Sequence, residues 1–139
     1  MVATRTIKQT VTFNASPHDV YEHLMDSAKH SQFTGAQARI TREVGGRFTA
    51  YDGALTGTIL ELTPDAKIVQ SWRGSDEGWP PGHYSTATFS LEKIDGGTRL
   101  TFVQTGVPAQ SFKQINQGWR KHYWAKMKQF LEPTDPHID

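Results

Sequence analysis

Residues 111–131, SFKQINQGWRKHYWAKMKQFL, form the longest amphipathic segment of the chain. The apolar side chains recur at steps of three and four residues, which places them on one face of an α-helix: Phe112, Ile115, Trp119, Tyr123, Met127, Phe130 and Leu131. Ser111 and Gln114 have the spacing of a capping box at the helix start. We expect Trp124 beside the stripe and partly exposed. Gly118 predicts a bend or close packing on the sheet, because glycine disfavours helix interiors.

Most of the chain before this helix alternates apolar and polar residues between turn signals, a pattern typical of β-strands. We predict strands at residues 6–13, 39–44, 47–51, 55–62, 67–73, 84–94 and 98–105. Dipeptides such as Gly45-Gly46 and Asp52-Gly53 suit tight hairpins, so the strands that they join are antiparallel. We expect the sheet to end at residues 106–108.

Two short helices are expected after the first strand. Ser16, Pro17 and Asp19 have the spacing of a capped helix start, and a second helical piece is expected at residues 28–33. An antiparallel sheet with one solvated face must cover its other face, and the C-terminal helix is long enough to do so. The sequence therefore predicts an α+β fold of the helix-grip type. In it, a curved antiparallel sheet of about seven strands lies over one long C-terminal helix.

Length and composition limit the classes of function. The 139 residues suit a single domain over residues 1–132, and residues 133–139 read as a flexible tail. The 15 Lys and Arg against 14 Asp and Glu give a net charge of +1, which does not favour a nucleic-acid partner. There is no cysteine for disulfides or thiolate chemistry. Without a signal peptide or an apolar run that spans a bilayer, we expect a soluble cytoplasmic protein.

Two glutamines are predicted to point toward the helix. Gln104 continues the apolar row of the strand 98–105, and Gln70 interrupts the apolar row of the strand 67–73. Buried amides need hydrogen-bond partners. One interpretation is that they satisfy backbone groups or bound water. The other is that they give a mostly apolar pocket its few oriented polar groups.

The long loop at residues 74–82 is the second candidate region, because loops of this length are often functional. Trp79 either packs over the rim of a cavity or forms part of a lid, and His83 either begins a strand or faces a ligand. No metal site is expected, since His18 and His23 are five residues apart rather than three or four. We also expect no cofactor and no catalytic residues.

Several short motifs together resemble a known family. They are Gly45-Gly46-Arg47-Phe48, Trp72-Arg73, Trp79-Pro80, Gly82-His83, Gln104-Thr105-Gly106-Val107-Pro108 and Gln117-Gly118-Trp119. The set resembles the C-terminal domain of the activators of the Hsp90 ATPase, the AHSA1-like domain, over about residues 8–131. This family belongs to the Bet v 1-like or START-like (SRPBCC) superfamily. The resemblance implies a cavity between helix and sheet. In eukaryotic members, such a domain follows an N-terminal domain, and the two together bind Hsp90 and stimulate its ATPase.

Three functions remain open at this point. The first is binding of a small hydrophobic or aromatic ligand, with walls and polar groups from the following residues: Phe33, Phe48, Gln70, Trp72, Trp79, His83, Phe102, Gln104, Trp119 and Tyr123. The second is an interaction with an Hsp90-type chaperone through the exposed sheet face, Trp79 and Trp124. The third is a START-like cyclase or hydrolase that uses His83 and a carboxylate such as Glu61 for proton transfer.

Overall fold

A seven-stranded antiparallel sheet forms the frame of the computed structural model, which describes residues 2–132. The strands are β1 (Thr4–Phe13), β2 (Arg39–Ile40), β3 (Arg47–Ala50), β4 (Leu55–Thr63), β5 (Lys67–Trp72), β6 (Ser85–Ile94) and β7 (Gly97–Pro108). Their order across the sheet is β1-β7-β6-β5-β4-β3-β2. The meander from β2 to β7 follows the chain, and β1 pairs with the last strand. The predicted tail at residues 133–139 lies outside the described residues.

Two short helices follow β1, as predicted. They are α1 (Pro17–Met25) and α2 (Ser27–Thr34). Ser16 accepts a hydrogen bond from the backbone N–H of Asp19 at 3.1 Å, so the predicted cap of α1 is confirmed.

A continuous helical segment runs from Phe112 to Leu131 and consists of three pieces. They are α3 (Phe112–Gly118), a π-helical turn (Trp119–Trp124) and α4 (Ala125–Leu131). Together they form the C-terminal helix, which lies on the inward face of the sheet with Trp119 and Tyr123 buried. The predicted helix-grip arrangement is therefore confirmed.

Strand ends differ from the prediction at two places. β2 stops at Ile40 because the chain turns between Thr41 and Gly46, where Glu43 N donates to Thr41 O and Gly46 N to Glu43 O. The last strand was predicted to end at residue 105, but β7 continues to Pro108 and pairs with the start of β1, so the sheet ends within residues 106–108 as expected. Gly106 has a φ of 77°, and the β1 register shifts opposite it, so a bulge carries the strand onward.

The π-helical turn changes which side chains the C-terminal helix buries. In a π-helix the hydrogen bonds run five residues apart, so Trp119 and Trp124 lie on the same face and their rings stack at 5.5 Å. Trp124 is therefore buried, and the expectation of partial exposure is wrong. The same shift turns Phe130 outward, where it is 48% exposed.

The predicted capping box at the start of the C-terminal helix is also wrong. No side chain caps α3, and the hydroxyl of Ser111 instead donates to Oδ1 of Asp76 at 2.7 Å. Ser111 therefore ties the helix start to the loop after β5.

Candidate binding cleft

A chain of hydrogen bonds joins the C-terminal helix to the middle of the sheet. Trp119 donates its indole N–H to Oε1 of Gln104 at 2.8 Å. Nε2 of Gln104 donates to the hydroxyl of Ser85 at 2.9 Å, and that hydroxyl donates to the backbone carbonyl of Trp72 at 2.8 Å. Gln104 is fully buried and bonded at both ends. Both of these partners are side chains, those of Trp119 and Ser85.

A second glutamine binds the neighbouring indole in the same way. Trp124 donates its N–H to Oε1 of Gln9 at 2.7 Å, and Nε2 of Gln9 donates to the backbone and side-chain oxygens of Asn116. The sequence reasoning missed this role of Gln9. The available signal was its position in the inward row of β1, between Ile7 and Phe13.

A buried histidine–tyrosine pair fixes the helix from the other side. Nδ1 of His30 lies 3.2 Å from the carbonyl oxygen of Leu24, and Nε2 lies 3.0 Å from the hydroxyl of Tyr123. Because a carbonyl only accepts, Nδ1 carries the proton and Nε2 accepts from the tyrosine hydroxyl. Burial lowers the pKa of His30 to about 4 and raises the pKa of Tyr123. Both side chains are neutral near pH 7.

A small void lies between the helix and the sheet. The void there has a volume of about 10 Å³, which is at the lower limit for a single water molecule. Phe48, Gln70, Trp119 and Tyr123 meet around this void, and the ring of Phe33 packs against Tyr123 at 5.7 Å between ring centres.

An open cleft of about 730 Å³ lies instead beside the first half of the C-terminal helix. Its floor is formed by Leu55, Trp72, Ile115, Trp119 and Tyr123. One wall is formed by Gln110, just before the helix, and by a polar edge of the helix with the following residues: Lys113, Gln114, Gln117, Gly118, Lys121 and His122. The opposite side is formed by Tyr51 and Ala54, which lie between β3 and β4, and by residues 74–76, which follow β5.

Tyr51 closes the end of the cleft. Its hydroxyl donates to the backbone carbonyl of His122 at 2.7 Å, which links the β3–β4 turn to the helix. Burial raises the pKa of Tyr51 to about 12, so its phenol stays neutral near pH 7.

The loop between β5 and β6 is held in place by hydrogen bonds. The guanidinium of Arg73 donates to three loop carbonyls, those of Trp79, Pro80 and His83, at 2.6–3.0 Å. Oδ1 of Asp76 accepts from the backbone N–H of Gly78 at 2.8 Å as well as from Ser111. These bonds fix the loop as a wall of the cleft.

Trp79 lies inside this loop, beneath the cleft floor. It is 4% exposed, and its ring packs against Trp72 at 5.6 Å. Its indole nitrogen lies beside Gly74 and has no hydrogen-bond partner among residues 2–132. The proposed chaperone contacts Trp79 and Trp124 are both buried, so neither presents its ring to a partner in this structure.

The residues considered for proton transfer lie outside the cleft. Nε2 of His83 donates to the carbonyl of Gly106 at 2.8 Å, and Glu61 forms an exposed ion pair with Lys67 at 3.1 Å. Within the described part of the chain, no group of three or more His, Asp or Glu side chains is arranged to hold a metal ion.

A family model described as Activator of Hsp90 ATPase homolog 1-like protein matches residues 14–132. The chain belongs to this family. The resemblance seen in the sequence motifs is thereby confirmed.

Individual members of the AHSA1-like family support this assignment. The chain is 33% identical over 124 residues to the human Activator of 90 kDa heat shock protein ATPase homolog 1. The aligned region covers 89% of this chain and 36% of the human protein. It is 33% identical over 127 residues to the activator homolog of Dictyostelium discoideum, covering 90% of this chain and 32% of that protein. The chain thus spans about a third of the length of these relatives.

A solved structure shares the fold. The crystal structure of an HSP90 activator from Plasmodium falciparum superimposes with a TM-score of 0.85 at 22% identity, covering 91% of this chain and 95% of that one. In this chain, no helix within residues 2–132 is both long and apolar enough to cross a membrane.

The structure divides the ten residues predicted from the sequence into two groups. Trp72, Trp119 and Tyr123 line the cleft floor. The following seven do not line it: Phe33, Phe48, Gln70, Trp79, His83, Phe102 and Gln104. The sequence reasoning missed the polar wall of Lys113, Gln117 and Lys121. Their four-residue spacing was a usable signal, although it also fits an ordinary solvated helix face.

Proposed function

We propose that this chain binds an Hsp90-type chaperone. The observation that carries the proposal is its membership of the AHSA1-like family, together with relatives whose names describe activators of the 90 kDa heat shock protein ATPase. Because the chain spans about a third of those relatives, the proposal concerns binding by this domain and not the whole activity of the longer proteins.

The outward face of the sheet is the proposed contact surface. Val69, Thr88 and Val103 lie side by side on β5, β6 and β7 and alternate with buried core residues. Uncharged β-branched side chains of this kind can be desolvated on binding at a small cost compared with charged ones.

An NMR titration of the ¹⁵N-labelled chain with the Hsp90 of the same cell tests this function. We expect resonances of β5, β6 and β7 to shift, and Val103→Glu to weaken binding at least tenfold. Val44→Glu, at an exposed site between β2 and β3, is the matched control. The absence of shifts at several hundred micromolar chaperone would show that the proposal is wrong.

A second candidate function is binding of a small apolar or aromatic ligand. The specific observation in its favour is the cleft of about 730 Å³ above Trp72, Trp119 and Tyr123, since ligand sites commonly have volumes of about 300–1,000 Å³. Native mass spectrometry after incubation with a cell extract tests it. A bound mass that appears with the wild-type protein and is absent from a variant with a filled cleft supports this function. Detection of unliganded protein alone counts against it.

A further inference from the structure

Gly118 has no steric reason to be glycine. Its φ of −60° and ψ of −38° are ordinary helical values, and a Cβ added there would meet only Cδ2 of His122, at 3.8 Å. The expectation of close packing on the sheet is therefore not met. Glycine in a helix interior lowers stability relative to alanine. Gly118 lies in the cleft wall directly before Trp119, so an added side chain would stand in open space at the cleft.

The wall on either side of Gly118 offers hydrogen-bond donors. Lys113 and Lys121 are exposed and form no ion pair with the described residues, and Gln117 lies between them on the same helix edge. Asp76 is the one carboxylate among the cleft residues, and it already accepts from Ser111 and Gly78. The cleft therefore favours negative charge in a ligand.

The floor of the cleft offers aromatic surfaces whose polar atoms are already in use. The indole N–H of Trp119 is bonded to Gln104, and the hydroxyl of Tyr123 is bonded to His30. The rings of Trp119 and Tyr123 lie 4.6 Å apart, and Trp72 lies 5.7 Å from Trp119. The three rings are only 3–6% exposed, so they present apolar edges to the cleft, and such a floor matches an apolar body that needs no hydrogen bond from it.

We propose that the cleft binds an organic anion with a flat apolar body, such as an aromatic sulfonate or carboxylate. The apolar rings of the ligand lie against the exposed edges of Trp72 and Trp119, and the absence of a side chain at Gly118 leaves room beside them. The acidic group meets the ammonium groups of Lys113 and Lys121. This inference rests on the second candidate function and names its ligand class.

Two fluorescent probes with the same rings test the inference. 8-Anilinonaphthalene-1-sulfonate carries a negative charge, and N-phenyl-1-naphthylamine is its neutral counterpart. At 150 mM salt, we expect wild-type protein to bind the sulfonate at least tenfold more tightly. The double variant Lys113→Gln/Lys121→Gln should lose this preference and still bind the neutral probe. Lys128→Gln, on the far half of the helix, is the matched control and should keep it.

Substitution of Gly118 separates binding from folding. Gly118→Ala should raise the melting temperature and weaken both probes about fivefold, and Gly118→Leu should abolish binding of both. A gain in stability with unchanged affinity overturns the placement of the ligand in the cleft. Equal affinity for the two probes overturns the inference but leaves ligand binding standing. Failure of wild-type protein to bind either probe contradicts both.

Discussion

Trp119 and Gln104 form a hydrogen bond of 2.8 Å that joins the C-terminal helix to the centre of β7. Gln104 is fully buried, and Trp119 is only 3% exposed. The bond therefore has no aqueous substitute when one partner is removed. The stability of the helix–sheet interface depends on it for this reason.

Replacing Gln104 with methionine tests this dependence. The change keeps the side-chain length but leaves the Trp119 N–H without an acceptor and removes a donor to Ser85. We expect the free energy of unfolding to fall by about 3 kcal/mol in urea denaturation. Gln70→Met is the control, since Gln70 is half-buried and its side chain forms no hydrogen bond with residues 2–132; its cost should stay below about 1 kcal/mol. Equal costs at the two positions would contradict the assigned role of Gln104.

The buried His30 predicts a loss of stability in mild acid. Its pKa is lowered from 6.5 to about 4 by burial, so the unfolded chain binds a proton that the folded chain does not take up until about pH 4. Its stabilising contribution is present above pH 6.5 and is lost as the pH falls toward 4, by about 3 kcal/mol in total.

Urea titrations between pH 7 and pH 4 measure this contribution. His30→Phe should flatten that part of the profile. An identical slope in wild type and His30→Phe would show that His30 is not its source.

Two glycine-to-alanine changes should have opposite effects on stability. A Cβ on Gly57 would overlap the backbone carbonyl oxygen of Ser71 and the ring of Phe48, so Gly57→Ala should destabilise by more than about 3 kcal/mol. Gly118→Ala meets no such obstacle and should stabilise by about 1 kcal/mol. Thermal and urea unfolding measure both changes in stability. If Gly118→Ala destabilised the protein, the claim that position 118 has room for a Cβ would be wrong.

Because Arg73 hydrogen-bonds three carbonyls of the β5–β6 loop, Arg73→Lys should change the opening of that loop. A single ammonium cannot reproduce the fixed geometry that bonds three carbonyls, so loop opening should become about tenfold more frequent. Hydrogen–deuterium exchange at residues 74–82 measures it. Arg42→Lys, which breaks a bidentate pair with Glu22, is the control. Unchanged exchange in the loop would mean that the contacts of Asp76 hold it without Arg73.

The strands of the sheet could be predicted because the signals for them lie within short stretches of the sequence. Alternation and turn dipeptides identified every strand within a few residues, apart from the early end of β2 and the late end of β7. The cap at Ser16 was likewise readable, since its partner is three residues away.

The π-helical turn and the polar core could not be predicted in the same way. The apolar stripe of residues 112–131 fits an α-helix almost as well, so nothing local distinguishes the burial of Trp124 from exposure. The contact between His30 and Tyr123 joins residues 93 positions apart, and only the folded arrangement brings them together. The polar wall of the cleft was missed because its lysine and glutamine side chains look like any helix surface facing water.

The π-helical turn separates two α-helical halves of the C-terminal helix, Phe112–Gly118 and Ala125–Leu131. Removing one residue from that turn would restore regular α-helical spacing, yet it would rotate one half by about 100° relative to the other. Either the cleft wall or the anchor at Met127 would then leave its site. The extra residue in the π-helical turn thus sets the rotation between the two halves, so that one helix can line the cleft with its first half and bury Met127 with its second.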